Sequence, residues 1–272
     1  MTAPASLIPI ESALFPQAPG MVSYTYRNEF QKDVPGTLDL IRGLGITDME
    51  FSNLFGLTAP ALRALLNERG MVCSSYGVQY PDLVEKTAQV GETANILGAK
   101  FVRVAWIAHE APFSLPQAKV VVEAFNRAGK ILSEQFGVTY CFHNHGFEFQ
   151  PHKDGTLFDY LVRETDPRYV SFELDILWAF FPGHDPAALL LKYPECFRLM
   201  HLKDLRKGVV GNLSGGTPVE NDVALGAGQL DIPAILKAAR HTRIEHYYIE
   251  DESPSIAVQV PQSIAYLRTL RG

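Results

Sequence analysis

Eight short apolar segments punctuate the chain, and most are followed by a stretch with helical spacing. They are Met21–Tyr26, Ile46–Phe51, Met71–Tyr76, Phe101–Trp106, Val138–Phe142, Tyr169–Leu174, Phe197–His201 and Tyr247–Ile249. Strands that alternate with helices pair in parallel, because each crossover needs a helix to return the chain. A count of eight favours closure into a barrel over an open sheet. No G-x-G-x-x-G follows the first segment, so the dinucleotide-binding arrangement lacks its phosphate loop. The expectation is an α/β chain folded as a single (β/α)8 TIM barrel. The 272 residues suit it, since one such barrel commonly takes about 250. The single domain is expected to span residues 1–272, with residues 1–20 as an N-terminal arm.

Helical spacing is read at Val34–Gly43, Ala59–Arg69, Asp82–Leu97, Gln117–Phe136, Leu157–Arg163, Pro186–Lys192 and Ile256–Leu270. Gly70, Gly98 and Gly137 stand where glycine terminates a helix. The longest interruption is 206–225, which holds Gly208, Gly211, Gly215, Gly216 and Pro218. It follows the seventh strand, on the face where barrel active sites sit, and reads as a lid.

The 47% apolar content is enough for a large core. The net charge of −6, with no lysine/arginine block, argues against a nucleic-acid partner. No apolar run reaches the roughly 18 residues of a membrane span, and Met1–Ser6 has no positive n-region, so neither a membrane partner nor a secretory signal is expected. Cys73, Cys141 and Cys196 form no CxxC and read as buried reduced thiols, which suits a cytoplasmic protein.

The last four segments end in groups that bind divalent metals: His143-Asn144-His145 with Glu148 after the fifth, Glu173-Leu174-Asp175 on the sixth, His201-Leu202-Lys203-Asp204 on the seventh, and Glu250-Asp251-Glu252 after the eighth. Side chains at the carboxyl ends of successive strands converge on one mouth. Asp175 shares a side with Glu173 by the period of two. Three acids in a row repel one another without a nearby cation, and Glu250 directly ends its strand. One His with carboxylates from three strands makes an oxygen-rich site that suits manganese first, with Mg, Co or Zn as alternatives. Such an ion acidifies the carbon beside a carbonyl and stabilises an enediolate, and two flanking carboxylates can remove and return the proton. This reads as isomerase or epimerase chemistry. Lys203 is a candidate to hold an enolate oxygen. Glu50, Arg103 and Trp106, on early strands, are candidate substrate contacts.

At His143-Asn144-His145-Gly146-Phe147-Glu148-Phe149, His201-Leu202-Lys203-Asp204 and Gly226-Ala227-Gly228-Gln229-Leu230-Asp231 leading to Glu250, the chain resembles the sugar phosphate isomerase/epimerase family of xylose-isomerase-like TIM barrels. The resemblance runs from about Met21 to the C-terminus. It implies a divalent ion held by Glu148, Asp175, His201 and Glu250, a carbohydrate substrate, and homo-oligomers as a frequent assembly. Glu148 and Glu250 are then the catalytic acids and bases, His143 is the competing ligand or a substrate contact, and His145 is an acid/base candidate. The chain has Asp175-x-x-Trp178 where ketose 3-epimerases resemble Asp-x-x-His, and Lys207 where they carry arginine. Trp178 and Lys207 become candidate substrate contacts. These departures leave room for a lyase that eliminates water or an aglycone from a keto sugar or inosose. An endonuclease-IV-like nuclease is a remote third reading.

Overall fold

The apolar segments become the eight parallel strands of a closed barrel in the computed structural model, which describes residues 18–270. The strands are β1 Gly20–Val22, β2 Asp48–Phe51, β3 Val72–Gly77, β4 Phe101–Val104, β5 Thr139–His143, β6 Val170–Asp175, β7 Phe197–Leu202 and β8 His246–Ile249. Each pairs with its sequence neighbours, and β1 closes on β8 with Met21 opposite Ile249. The fold is a single TIM barrel of the α/β class. Of the arm expected over residues 1–20, the part up to residue 17 lies outside the described residues, and Gly20 already belongs to β1.

The outer helices are α1 Val34–Gly43, α2 Ala59–Glu68, α3 Thr87–Leu97, α4 Leu115–Phe136, α5 Leu157–Glu164, α6 Pro186–Lys192, α7 Ile232–Ala239 and α8 Ile256–Thr269. Their starts are written in side-chain caps. Asp33, Thr58, Asp185 and Asp231 accept first-turn amides, and Thr156 and Asp159 form a reciprocal box on α5. Gly98 and Gly137 stop α3 and α4 in the left-handed conformation, at φ 78° and 67°.

Three readings are corrected. The first strand ends at Val22, and Ser23–Tyr26 is a 3-10 turn. Ser23 Oγ accepts the Ser52 amide at 2.8 Å, so a side chain meets the backbone where a ladder would continue. The helix expected over Asp82–Leu97 is broken at Lys86 into Tyr80–Glu85 and α3. Thr87 Oγ1 donates to the Leu83 carbonyl at 2.6 Å, a hydroxyl-to-backbone bond of the kind that bends helices. Helix α7, between β7 and β8, was not read from the sequence at all.

The barrel interior is layered by charge. Phe101, Cys141, Leu199 and Tyr248 form one buried cluster with Val22. Each of those four lies two residues before Arg103, His143, His201 and Glu250, so the period of two puts both sets on the inner face. An apolar floor therefore supports an ionisable layer. Cys73 and Cys141 are buried, and all three cysteines are free.

The 206–225 segment is partly ordered by its own pairing, Asp204–Leu205 running antiparallel to Asp222–Val223. Asp204 accepts the amides of Leu205, Gly226, Gly228 and Leu230, fastening the Gly226–Leu230 turn to the end of β7. The loop folds against the mouth. A Cβ on Gly211 would lie 1.6 Å from the Phe181 carbonyl oxygen, and one on Gly215 would lie 3.0 Å from that of His145. No described helix is long and apolar enough to cross a membrane.

On the outer side of the sheet, Phe125 of α4 is fully buried, with ring centroids 4.9 Å from Tyr140 and 5.0 Å from Phe142. Phe125→Ala is expected to cost about 3–5 kcal/mol in urea unfolding, from lost burial and the cavity left behind. A loss below about 1 kcal/mol, an ordinary surface value, would contradict this packing.

Candidate metal centre and catalytic pocket

Parallel register delivers the ionisable layer. Pairing sets His143 opposite Glu173 and Asp175 opposite His201. His143, Asp175 and His201 offer ligand atoms that lie within 4.8 Å of one another, all three residues buried. His143 Nε2 is 3.8 Å and His201 Nδ1 3.9 Å from Asp175 Oδ2. Glu250 Oε2 lies 2.7 Å from His201 Nδ1. Asp175 Oδ1 accepts the Trp178 amide at 2.9 Å, while Oδ2 is buried with no hydrogen-bond partner. A buried carboxylate oxygen without a partner is costly unless something positive meets it.

Both imidazoles are oriented from behind by other carboxylates. His143 Nδ1 donates to Glu173 Oε2 at 2.9 Å, which leaves Nε2 facing Asp175. His201 Nε2 donates to Glu50 Oε1 at 2.9 Å, which leaves Nδ1 facing Asp175 and Glu250. Metal-binding histidines are set in this way, one nitrogen fixed by a carboxylate and the other presented to the ion; His143 fits it directly, while His201 Nδ1 is bonded to Glu250, a fellow candidate ligand. The donor chemistry and the partnerless Asp175 Oδ2 therefore fit a divalent ion. Glu50, Glu173 and His201 form a second such group. Its cation is already supplied by Arg103, whose guanidinium is 2.5 Å from Glu50 and 3.4 Å from Glu173.

The charge states follow from these neighbours. Burial pushes Asp175 up to about 7, with Lys203 pulling the other way. Burial also opposes ionisation of Glu50, but Arg103 and His201 outweigh it and hold that carboxyl at about 2. Burial, reinforced by His201, drives His143 well below its ordinary value. His201 goes the opposite way, raised against burial by Glu173, Glu250 and Glu50. Lys203 is held charged, against burial, by Asp222, Glu250 and Glu252.

Above this layer opens a cavity of about 320 Å³ whose lining includes Tyr24, Arg103, Trp106, His143, His145 and His201, with Glu250 and Glu252 as its acidic wall. His145 stacks on Trp178 at 5.6 Å and meets Trp106 edge-on at 5.3 Å. Its Nδ1 is buried without a hydrogen bond, and burial lowers its pKa to about 3.

Of the residues singled out from the sequence, His143, His145, Arg103, His201, Glu250 and Trp106 line this cavity, and Asp175 lies against its histidines. Glu148 is not brought to the cluster. Gly146, at φ 95°, turns the chain back, and the Glu148 carboxylate accepts the amides of His145 and Gly146 at 3.1 and 2.8 Å. His143 stands in the cluster in its place. Glu50 is wholly buried beneath the cavity rather than facing it. Lys203 is also buried, 5.4 Å from the Trp178 ring centroid and paired with Glu252 and Asp222. Trp178 backs His145 and is outside the lining, and Lys207 is exposed on the loop. The sequence reading assigned no role to Asn144 or Glu252. Asn144 bonds both the amide and the carbonyl of Asp175, at 3.0 and 3.2 Å, which ties the β5 end to the β6 end. Its only signal was its place between two histidines.

A family model described as xylose isomerase-like TIM barrel matches residues 38–270. The chain belongs to that family. An inosose dehydratase of Geobacillus kaustophilus is 26% identical over 233 residues, covering 74% of this chain and 73% of the relative. Among solved structures, a sugar phosphate isomerase/epimerase from Parabacteroides distasonis superposes with a TM-score of 0.77 at 26% identity, covering 96% of this chain and 98% of the other. The IOLI protein with a bound zinc atom superposes at 0.71 and 16% identity, covering 91% and 94%, and shares the xylose isomerase-like fold.

Two outcomes test this geometry. Asn144→Leu keeps bulk but strips two buried backbone groups of Asp175, each worth about 1–3 kcal/mol when left unpaired. Urea unfolding should register that loss, and a change within about 0.5 kcal/mol would show the tie to be idle. Burial raises Glu148 from 4.5 to about 8. Within that window the unfolded chain has released this proton while the folded chain keeps it. Glu148 thus makes stability fall as pH rises from about 4.5 to about 8. Glu148→Gln should flatten that slope in melting curves taken across the window, and identical slopes would contradict a neutral buried carboxyl.

Proposed function

We propose that the protein removes the proton α to the carbonyl of a small keto sugar or keto-cyclitol and expels water, as a dehydratase. The observation that carries this is which acid–base groups face the cavity. Epimerisation by two opposed carboxylates needs Glu148 at the mouth, and Glu148 is folded into its own loop. Of the lining acids, Glu250 is bonded to His201 and Glu252 to Lys203. His145 is the lining base with a buried nitrogen that has no partner.

His143, Asp175, His201 and Glu250 would hold the divalent ion. When bound, the ion polarises the substrate carbonyl and stabilises the charge that develops on its oxygen. With two imidazoles, the donor set is richer in nitrogen than the one-histidine set expected from the sequence. That moves the preference from manganese toward zinc, the metal bound in the IOLI protein. In the step itself, His145 accepts the α-proton; burial keeps the imidazole neutral at rest, and Glu250 is the neighbour that favours its protonated form. The carbon–oxygen bond at the β position breaks, and the departing hydroxide takes the proton back from the imidazolium, so that water leaves and no other reactant is consumed. Trp178 and Trp106 hold the ring of His145 in place. Against burial, Lys203 and His201 favour the ionised form of Glu250, and Lys203 is also paired with Glu252.

The 26% identity to an inosose dehydratase over most of both chains supports this reading. Return of the proton to carbon without elimination is the second reading, supported by the likeness to the isomerase/epimerase of Parabacteroides distasonis. A nuclease is disfavoured, because Glu250 and Glu252 would repel a phosphodiester.

The test is NMR in D₂O of a panel of keto-cyclitols and ketoses, with zinc- or manganese-loaded protein, beside calorimetric titration of the ion. Loss of one water from product supports the dehydratase, and an unchanged atom count with deuterium replacing hydrogen at the α carbon selects the isomerase. Asp175→Asn should lose ion binding. His145→Ala should keep ion binding and lose turnover by about 10²–10⁴-fold. Full turnover in His145→Ala would remove it from the mechanism, and no consumption of any keto substrate would sink the reading as a whole.

A further inference from the structure

A second hollow adjoins the catalytic cavity. It measures about 280 Å³ and shares Ser52, Asn53, Val78 and Gln79 with the first. Those residues come from the loops after β2 and β3, so the wall between the hollows is made at the barrel mouth. The other side is α3, the short helix Tyr80–Glu85 before it and the Lys86 joint between them, which contribute Gln89, Thr93, Asp82 and Lys86.

Three features define what this compartment takes. Ser52 Oγ, on the seam between the two hollows, is buried without a hydrogen-bond partner. Such an oxygen calls for a ligand donor or acceptor. The rest of the polar lining is amide and hydroxyl, able to donate and accept in pairs, with Tyr76 adding aromatic surface. Its one acid and one base cancel, Lys86 Nζ lying 2.8 Å from Asp82. This lining suits a neutral group rich in hydroxyls. The seam is also built in advance. Asn53 Oδ1 accepts the Phe55 amide at 2.7 Å, and Phe55, in the left-handed region at φ 49°, is held there by stacking on Phe30 at 4.7 Å. The first cavity is at the small end of the range for small-molecule sites, about 300–1,000 Å³, and suits one ring. The pair suits two.

We infer that the substrate is a two-ring glycoside, with the reacting keto ring at His143, Asp175 and His201 and a second sugar or aglycone ring lodged between Ser52 and Gln89. The inference rests on the carbohydrate reading above and extends it to the part of the substrate that does not react. Binding energy from such a remote ring serves to position the reacting one.

The experiment is saturation-transfer NMR and calorimetry on the full chain. It compares disaccharides and aryl glycosides with their own monosaccharides, for wild type and for Gln89→Trp, which fills the second hollow from an exposed helical position. At least one two-ring compound should bind about tenfold tighter than its monosaccharide, the equivalent of a few added hydrogen bonds. In Gln89→Trp that ratio should collapse toward one. Monosaccharide binding with no gain for any two-ring compound, or a gain that survives Gln89→Trp, overturns the second compartment. Absence of all carbohydrate binding instead defeats the reading it rests on, and the proposal falls with it.

Discussion

The pairing of Arg103 with Glu50 and Glu173 governs the interior of this barrel. Glu50, Glu173 and Asp175 are fully buried, and a lone carboxylate there would be expensive to ionise. The guanidinium meets two of them at once. With Glu50 held ionised, His201 is gripped by one nitrogen and aimed by the other. Glu173, from the same network, does this for His143. Gly77 is part of the arrangement, since a Cβ there would lie 3.1 Å from the guanidinium carbon.

Outward from that network, each layer answers the one below. The apolar floor of Phe101, Cys141, Leu199 and Tyr248 excludes water beneath the charges. Above them, Asp175 Oδ2 is left without a partner, which is what a centre for a divalent ion requires. Lys203 repeats at the edge what Arg103 does in the middle, neutralising Asp222, Glu250 and Glu252 so that three acids can crowd one wall. Both cations are thereby committed to protein carboxylates.

Much of this was legible beforehand. The strand count, the closing glycines of α3 and α4, and the convergence of Asp175, His201 and Glu250 follow from periodicity and from the rule that strand ends meet at one mouth. Helix α7 escaped notice because Ile232–Ala239 is only eight residues long, carries Pro233 in its first turn and follows a glycine-rich stretch, although its apolar residues Ile232, Ile235, Leu236 and Ala239 have helical spacing. The break at Lys86 escaped notice because it depends on one hydroxyl choosing one carbonyl. The choice between His143 and Glu148 shows the limit most clearly. They lie five positions apart, and spacing alone allowed either to reach an ion.

The chain's linear order determined the barrel, its seven crossovers and the four strand ends that carry ionisable groups, because hydrophobic period and residue type act locally. Only the tertiary structure decided which of those groups meet. That outcome turned on a left-handed Gly146 sending Glu148 back to its own amides, on strand register setting His143 beside Glu173, and on Arg103 reaching across from β4 to Glu50 of β2. The last two are contacts between distant parts of the chain and the first is a local turn, but in all three a few tenths of a nanometre separate a ligand from a bystander.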